Sequence, residues 1–120
     1  MRILVADDAA VVRSALRRIA RRLEHEIVAE AVDADEARVR SEETRPQIAL
    51  VDSRLPPEGA LGLIAFLAAQ GVAVLVIASL AERALVREAV AAGARGALLR
   101  PLLASQAGDA LAELARTLQA

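Results

Sequence analysis

Apolar and polar positions follow two alternating patterns along the chain. Short aliphatic runs, typical of strands buried on both faces, are separated by stretches in which apolar residues recur every three or four positions, as on one side of a helix. The predicted strands are Ile3–Ala6, Glu26–Val32, Gln47–Val51, Val72–Ala78 and Gly96–Leu99. The first predicted helix has its apolar stripe on Val12, Leu16, Ile19 and Leu23, and the later helices are Ala34–Glu43, Ala60–Ala69, one from Ser79 to Ala92, and Ser105–Leu118.

Strands that alternate with helices predict an α/β fold, in which a parallel sheet is covered by helices on both faces. Right-handed crossovers leave few topologies, and we expect the flavodoxin-like (βα)5 doubly wound sheet of five strands in the order 2-1-3-4-5. The length of 120 residues predicts a single domain, residues 1–120. Ser79 and Glu82 have the spacing of a capping box, which predicts that Ser79 is a helix N-cap.

Composition restricts the classes of function. The chain has no cysteine, which excludes disulfides and thiolate metal sites. A net charge of −1 and a single aromatic residue, Phe66, argue against a nucleic-acid partner. The chain opens directly into a strand, which leaves no room for a signal peptide, and no apolar run approaches the roughly 20 residues of a membrane helix. We therefore expect a soluble cytoplasmic protein that does not bind membranes.

Carboxylates follow two of the predicted strands. Asp7 and Asp8 end the first strand and Asp52 ends the third. These strands are neighbours in the predicted sheet, and ligands bind at the carboxyl ends of such strands, so we expect the three side chains to converge. Carboxylates gathered in one cleft repel each other unless a cation joins them, and hard oxygen ligands suit Mg²⁺. Asp52 can then accept a phosphoryl group, with Arg100 supplying positive charge.

Each of these residues also has an ordinary structural interpretation. An acidic pair after a strand is often the N-cap of the next helix, and a lone aspartate before a loop is more often a turn residue than a nucleophile. The conjunction of strand ends, rather than any one residue, points to a site.

Several segments resemble the receiver domains of bacterial response regulators, the phosphoacceptors of two-component signalling. The match covers essentially the whole chain with nearly constant spacing. Ile3–Asp8 is similar to the family's ILVVDD, Glu30–Ala37 to EAxDGEEAL, Ile48–Pro56 to DLVLLDxxMP, and Ala89–Gly96 with Arg100-Pro101 to ALxAGAxGYLxKP.

The resemblance implies that Asp52 accepts its phosphoryl group from a histidine kinase or a histidine phosphotransfer protein. It implies that Asp8 and Asp52 bind Mg²⁺ directly, that Asp7 does so mainly through water, and that the backbone carbonyl of Arg54 is a further ligand. It also implies a cis bond before Pro101, and it allows a homodimer on phosphorylation.

Four departures from the family pattern put its usual switch in doubt. Arg100 stands in place of a lysine, so the charge is kept but the geometry of the cation changes. Ala78 occupies the position of a phosphate-sensing Thr or Ser; the adjacent Ser79 can contact phosphate if the strand slips by one residue, or can act only as an N-cap. Ala97 replaces an aromatic residue that rotates inward on activation, and Pro57-Glu58-Gly59 alters the loop after Asp52.

Three functions follow. The first is a working phosphoacceptor, which is not a turnover enzyme. The second is a pseudo-receiver that binds its partner independently of phosphorylation, for which Ala78, Ala97 and Arg100 argue. The third, an aspartyl phosphohydrolase, lacks the second aspartate that would stand where Arg54 is.

Arginines line the first predicted helix. Docking of a histidine kinase or phosphotransfer protein is one interpretation of this surface, and a solvated helix face is the other. The stripe consists of Arg13, Arg17 and Arg21, with Arg18 and Arg22 beside it.

Overall fold

The computed structural model describes residues 1–119, in which five strands alternate with five α-helices. All strand pairs are parallel and the order is 2-1-3-4-5, so the predicted flavodoxin-like topology is confirmed. The strands are β1 (Arg2–Ala6), β2 (Glu26–Ala31), β3 (Ile48–Asp52), β4 (Ala73–Ala78) and β5 (Gly96–Leu99). The helices are α1 (Ala10–Arg22), α2 (Ala34–Thr44), α3 (Leu61–Ala69), α4 (Arg83–Ala92) and α5 (Ala104–Gln119).

Predicted and observed bounds differ mainly by single residues, with a physical reason in each clear case. Val32 was wrongly placed in a strand: it is 42% exposed and precedes Asp33, the N-cap of α2. Val72 was also wrongly placed, because its N–H donates to the Leu67 carbonyl at 3.1 Å and so closes α3. The fourth helix does not begin directly after Ser79, since a 3₁₀ turn at Leu80–Glu82 precedes α4.

The sheet is buried on both faces because successive side chains of a strand point in opposite directions. On one face Leu4, Val51 and Val76 pack beneath α2, α3 and α4. On the other, Ile3 and Leu50 pack beneath α1 and α5. This double burial explains why β3 and β4 are apolar up to Asp52 and Ala78, whereas the partly buried edge strand β2 contains Glu26 and Glu30. None of the helices in residues 1–119 combines the length and apolar character needed to cross a membrane.

Gly93 brings the end of α4 against α3. It has φ +122°, a conformation that side chains other than glycine rarely adopt, and a Cβ placed on it would lie 2.5 Å from Ala68 Cβ. Its N–H donates to the Val90 carbonyl at 3.0 Å, which ends the helix. The C-terminal end of α4 therefore lies directly against Ala68 of α3.

We expect Gly93→Ala to lower the free energy of unfolding by about 3 kcal/mol, because it combines backbone strain with overpacking against Ala68. Gly71→Ala is the matched control: Gly71 also has positive φ, +82°, but nothing lies within 4 Å of its added Cβ. That control should cost about 1 kcal/mol, from strain alone. Urea denaturation measures both, and equal losses would contradict the close packing of Gly93.

Candidate functional site

Three carboxylates meet at the carboxyl edge of the sheet. β1 delivers Asp7 and Asp8, and the neighbouring β3 delivers Asp52; one oxygen of each side chain lies within 4.8 Å of the others. Asp7 and Asp52 are almost fully buried, whereas Asp8 is exposed. The structure therefore brings together the residues that the strand ends predicted, with one side of the cluster open to solvent.

Asp7 is the least satisfied of the three. Its Oδ1 accepts the Ala9 N–H at 2.8 Å, but its Oδ2 is buried with no hydrogen-bond partner in the described residues. Burial raises the pKa of Asp7 above its usual range; the Ala9 hydrogen bond opposes this, and the charge of Asp8 adds to it. Arg13 donates to the Asp7 backbone carbonyl at 2.8 Å, and its charge, like that of Arg100, lowers the pKa of Asp7 without offsetting the effect of burial.

Arg100 supplies the cation beside Asp52. Its Nη2 donates to Asp52 Oδ1 and, at 3.1 Å, to the Ile77 carbonyl. Its backbone N–H donates to the Ala78 carbonyl at 2.8 Å, which extends the pairing of β4 and β5 by one residue. The Arg100-Pro101 bond is cis, as the resemblance implied. The guanidinium and the carboxylate that we singled out from sequence are thus in direct contact.

Glu82 completes the site, although its position in the sequence does not predict this. Its Oε1 accepts the Ser79 N–H at 2.9 Å and the Ser79 hydroxyl at 3.2 Å, and its carboxylate accepts the Ser53 hydroxyl at 3.0–3.1 Å. Arg100 Nη1 lies 3.4 Å from Oε1, and Arg54 Nε lies 3.6 Å from Oε2. The Ser79 backbone hydrogen bond, followed by the hydroxyls and Arg54, lowers the pKa of Glu82 despite partial burial. The capping-box spacing was the only signal of this residue, and it indicated a local role.

The comparisons with known proteins agree with this geometry. The family model for the response regulator receiver domain matches residues 3–112. The chain belongs to this family. No curated protein sequence matches it significantly.

Solved receiver domains resemble the structure over nearly its full length. The receiver domain of AraT from Geobacillus stearothermophilus has a TM-score of 0.89 at 25% identity, covering 98% of this chain and 95% of that one. The receiver domain of NtrX from Brucella abortus has a TM-score of 0.83 at 25% identity, with 94% and 96% covered. A LuxR-family two-component response regulator from Aurantimonas sp. SI85-9A1 has a TM-score of 0.85 at 30% identity, with 94% and 83% covered.

Receiver domains are signalling modules of two-component systems that bind Mg²⁺ in an acidic pocket and interact with histidine kinases or phosphotransfer proteins. The residues of this chain fit that ion. The donor set is oxygen only, and the unpartnered Oδ2 of Asp7 is a buried acceptor that a cation would satisfy. Asp7, Asp8 and Asp52 would hold it; participation of the Arg54 carbonyl stays a prediction.

Three residues that concern the departures from the family pattern lie at or near the ends of β4 and β5. Ala78 is fully buried and has no group to offer a phosphate. Ser79 is an N-cap and forms the capping box with Glu82, but it caps the 3₁₀ turn Leu80–Glu82 and not α4, whose N-cap is Glu82. A contact of Ser79 with phosphate stays a prediction. Ala97 is half-buried and lines a cavity of about 150 Å³ between β5 and α5.

The loop after Asp52 is fastened to α2. Pro56-Pro57 is a second cis bond, which the sequence analysis did not predict, and Gly59 has φ +88°. The Pro56 carbonyl accepts the Ala34 N–H at 2.8 Å, at the first turn of α2. The altered Pro57-Glu58-Gly59 segment therefore keeps a defined path beside the site.

The arginine stripe of α1 is divided in the structure. Arg13 and Arg17 bind Glu30 of β2, at 3.2 and 2.7 Å. Arg18, Arg21 and Arg22 are exposed and have no acidic partner in the described part of the chain. Only this second group is available as a cationic surface.

We expect Asp7→Asn to raise the free energy of unfolding without divalent metal by about 1 kcal/mol, the lower end of the cost of an unpaired buried group. The variant removes one of three neighbouring negative charges and keeps the oxygen that accepts the Ala9 N–H. Asp35→Asn is the control, because its side chain is 85% exposed. Chemical denaturation with and without Mg²⁺ measures the effect: Mg²⁺ should stabilise the wild type and Asp35→Asn more than Asp7→Asn. A destabilised Asp7→Asn would contradict the electrostatic strain of the cluster.

Proposed function

We propose that residues 1–120 form one phosphoacceptor receiver domain, in which Asp52 takes a phosphoryl group from a phosphohistidine of a kinase or phosphotransfer protein in the presence of Mg²⁺. The observation that carries this proposal is the position of the Asp52 carboxylate, between the Asp7–Asp8 pair and the guanidinium of Arg100. A nucleophile, a metal-binding acidic pair and a cation are the parts that phosphoryl transfer needs.

The chemistry is a single displacement. An oxygen of Asp52 attacks phosphorus, the phosphorus–nitrogen bond of the donor breaks, and the electron pair stays on the imidazole nitrogen. The guanidinium of Arg100 already donates to Asp52, so it can donate to the phosphoryl oxygens once they carry the charge. Bound Mg²⁺ would neutralise the charge that gathers on those oxygens. Each transfer consumes the carboxylate until water hydrolyses the acyl phosphate, so we propose a switch rather than a turnover enzyme.

A pseudo-receiver that works by docking alone is the second candidate. The buried Ala78 favours it, because the usual hydroxyl that senses phosphate is replaced by a methyl group. The contact between Arg100 and Asp52 also satisfies the carboxylate without any phosphate. This candidate predicts that partner binding is unchanged by Asp52→Ala.

We expect incubation with Mg²⁺ and acetyl phosphate to increase the mass of the intact protein by one phosphoryl group. Asp52→Ala should abolish the adduct, because no other described carboxylate combines the acidic pair with Arg100. Asp35→Ala, which changes an exposed aspartate of α2, should be labelled like the wild type. Intact-protein mass spectrometry gives the answer, and a folded wild type that forms no adduct would favour the pseudo-receiver.

We also propose that the partner docks on α1 through Arg18, Arg21 and Arg22. Charge reversal of Arg18 and Arg22 to glutamate should slow phosphotransfer from the partner kinase by about tenfold at low salt, because steering by exposed charges sets association rates. Labelling by acetyl phosphate should stay unchanged, since it needs no docking. Arg17→Glu is less informative, as Arg17 binds Glu30. Equal transfer rates for the double variant and wild type, measured at low and high salt, would rule this surface out.

A further inference from the structure

The carboxylate of Glu82 binds two donors that lie beside Asp52, Arg100 and the Ser53 hydroxyl, together with the two donors of Ser79. The Ser53 hydroxyl, the Ser79 N–H and hydroxyl, and Arg100 Nη1 all lie within 3.4 Å of it. Arg100 reaches Asp52 with its other terminal nitrogen. A single guanidinium therefore separates the Glu82 carboxylate from the proposed phosphoacceptor.

Phosphorylation of Asp52 would disturb the contacts of Glu82 in two ways, by competition for donors and by charge repulsion. A phosphoryl group brings about −1.5 to −2 charges and three strong acceptor oxygens. It would compete with Glu82 for Arg100 and the Ser53 hydroxyl, both of which already lie beside Asp52. It would also repel Glu82, whose side chain is only 13% exposed and therefore poorly screened by water.

The turn that carries Glu82 has little else to hold it in place. No residue of the 3₁₀ turn Leu80–Glu82 is buried, and the side chain of Leu80 is 63% exposed. The polar contacts of Glu82 are thus the main attachment of this turn to the site. Moving the turn outward would free Arg100 and the Ser53 hydroxyl for the phosphoryl group and would leave the Ser79 N–H without its partner. It would expose few apolar atoms.

We propose that phosphorylation of Asp52 expels Glu82 and the 3₁₀ turn Leu80–Glu82 from the site, so that the signal leaves by repulsion of a carboxylate. This inference rests on the phosphoacceptor function proposed above. It assigns to Glu82 the role that Ala78 cannot perform. A hydroxyl at the end of β4 would be drawn toward the phosphate, whereas Glu82 is driven away from it.

The Ser79 backbone N–H reports on this movement, because its partner at 2.9 Å is the Glu82 carboxylate. We expect its hydrogen exchange, followed by NMR under Mg²⁺ and acetyl phosphate, to become about tenfold faster on phosphorylation of the wild type. Glu82→Gln should show less than about a threefold change, because its amide oxygen still accepts the Ser79 N–H but carries no charge to be repelled.

Two controls separate charge from general loosening. Glu88→Gln makes the same charge change at an exposed position of α4 and should respond like the wild type. Ser79→Ala removes one hydroxyl donor but keeps Glu82 and the reporting amide, so it should also respond. If the Ser79 amide of Glu82→Gln already exchanges quickly before phosphorylation, the wild type and Ser79→Ala still decide the question, because unchanged exchange in both on phosphorylation would overturn the release of the amide.

The mass spectrum of each NMR sample distinguishes the two proposals. An adduct without faster exchange at Ser79, or with an equal response in Glu82→Gln, would overturn the role of Glu82 and leave the phosphoacceptor intact. No adduct would overturn the phosphoacceptor function and this inference with it.

Discussion

Strands that are buried on both faces can present polar side chains only at their ends, and the rest of this structure depends on that constraint. Apolar packing against helices on either face keeps β1 and β3 apolar between their ends, and their aspartates meet at the carboxyl edge. The three carboxylates concentrate negative charge at this edge, and the guanidinium of Arg100 beside Asp52 partly balances that charge. The burial that stabilises the sheet therefore also gathers the three carboxylates at its edge.

Arg100 is the cation that this edge shares between two acids. A lysine at its position would concentrate its charge on one nitrogen, whereas the planar fork of Arg100 reaches Asp52 with one terminal nitrogen and Glu82 with the other. Arg100, Asp52 and Glu82 thus form one connected arrangement. It couples the proposed phosphoacceptor to the turn before α4 through a single side chain.

The fold and the convergence of Asp7, Asp8 and Asp52 could be predicted, because both depend on local sequence patterns. Strands buried on both faces consist of apolar runs, and the residues that end them fall at the site by topology alone. Glu82 could not be predicted as a site residue, because its spacing to Ser79 already has a local explanation and its contact with Arg100 depends on how β4 and β5 align. The division of the α1 arginines was hidden for the same reason, since Glu30 lies on another element.

The close approach at Gly93 gives α4 a fixed end. With Ala68 directly against it and Ala89 fully buried one turn earlier, the C-terminal end of the helix has no room to translate. The N-terminal end, which follows the exposed turn, is held by the polar contacts of Glu82. Any movement of the N-terminal end would therefore tilt α4 about its fixed end at Gly93. Its 10 residues span about 15 Å, so a shift of about 2 Å at Glu82 corresponds to a tilt of about 8°. On the proposed expulsion of Glu82, a small electrostatic event at the edge of the sheet would reorient the exposed surface of α4.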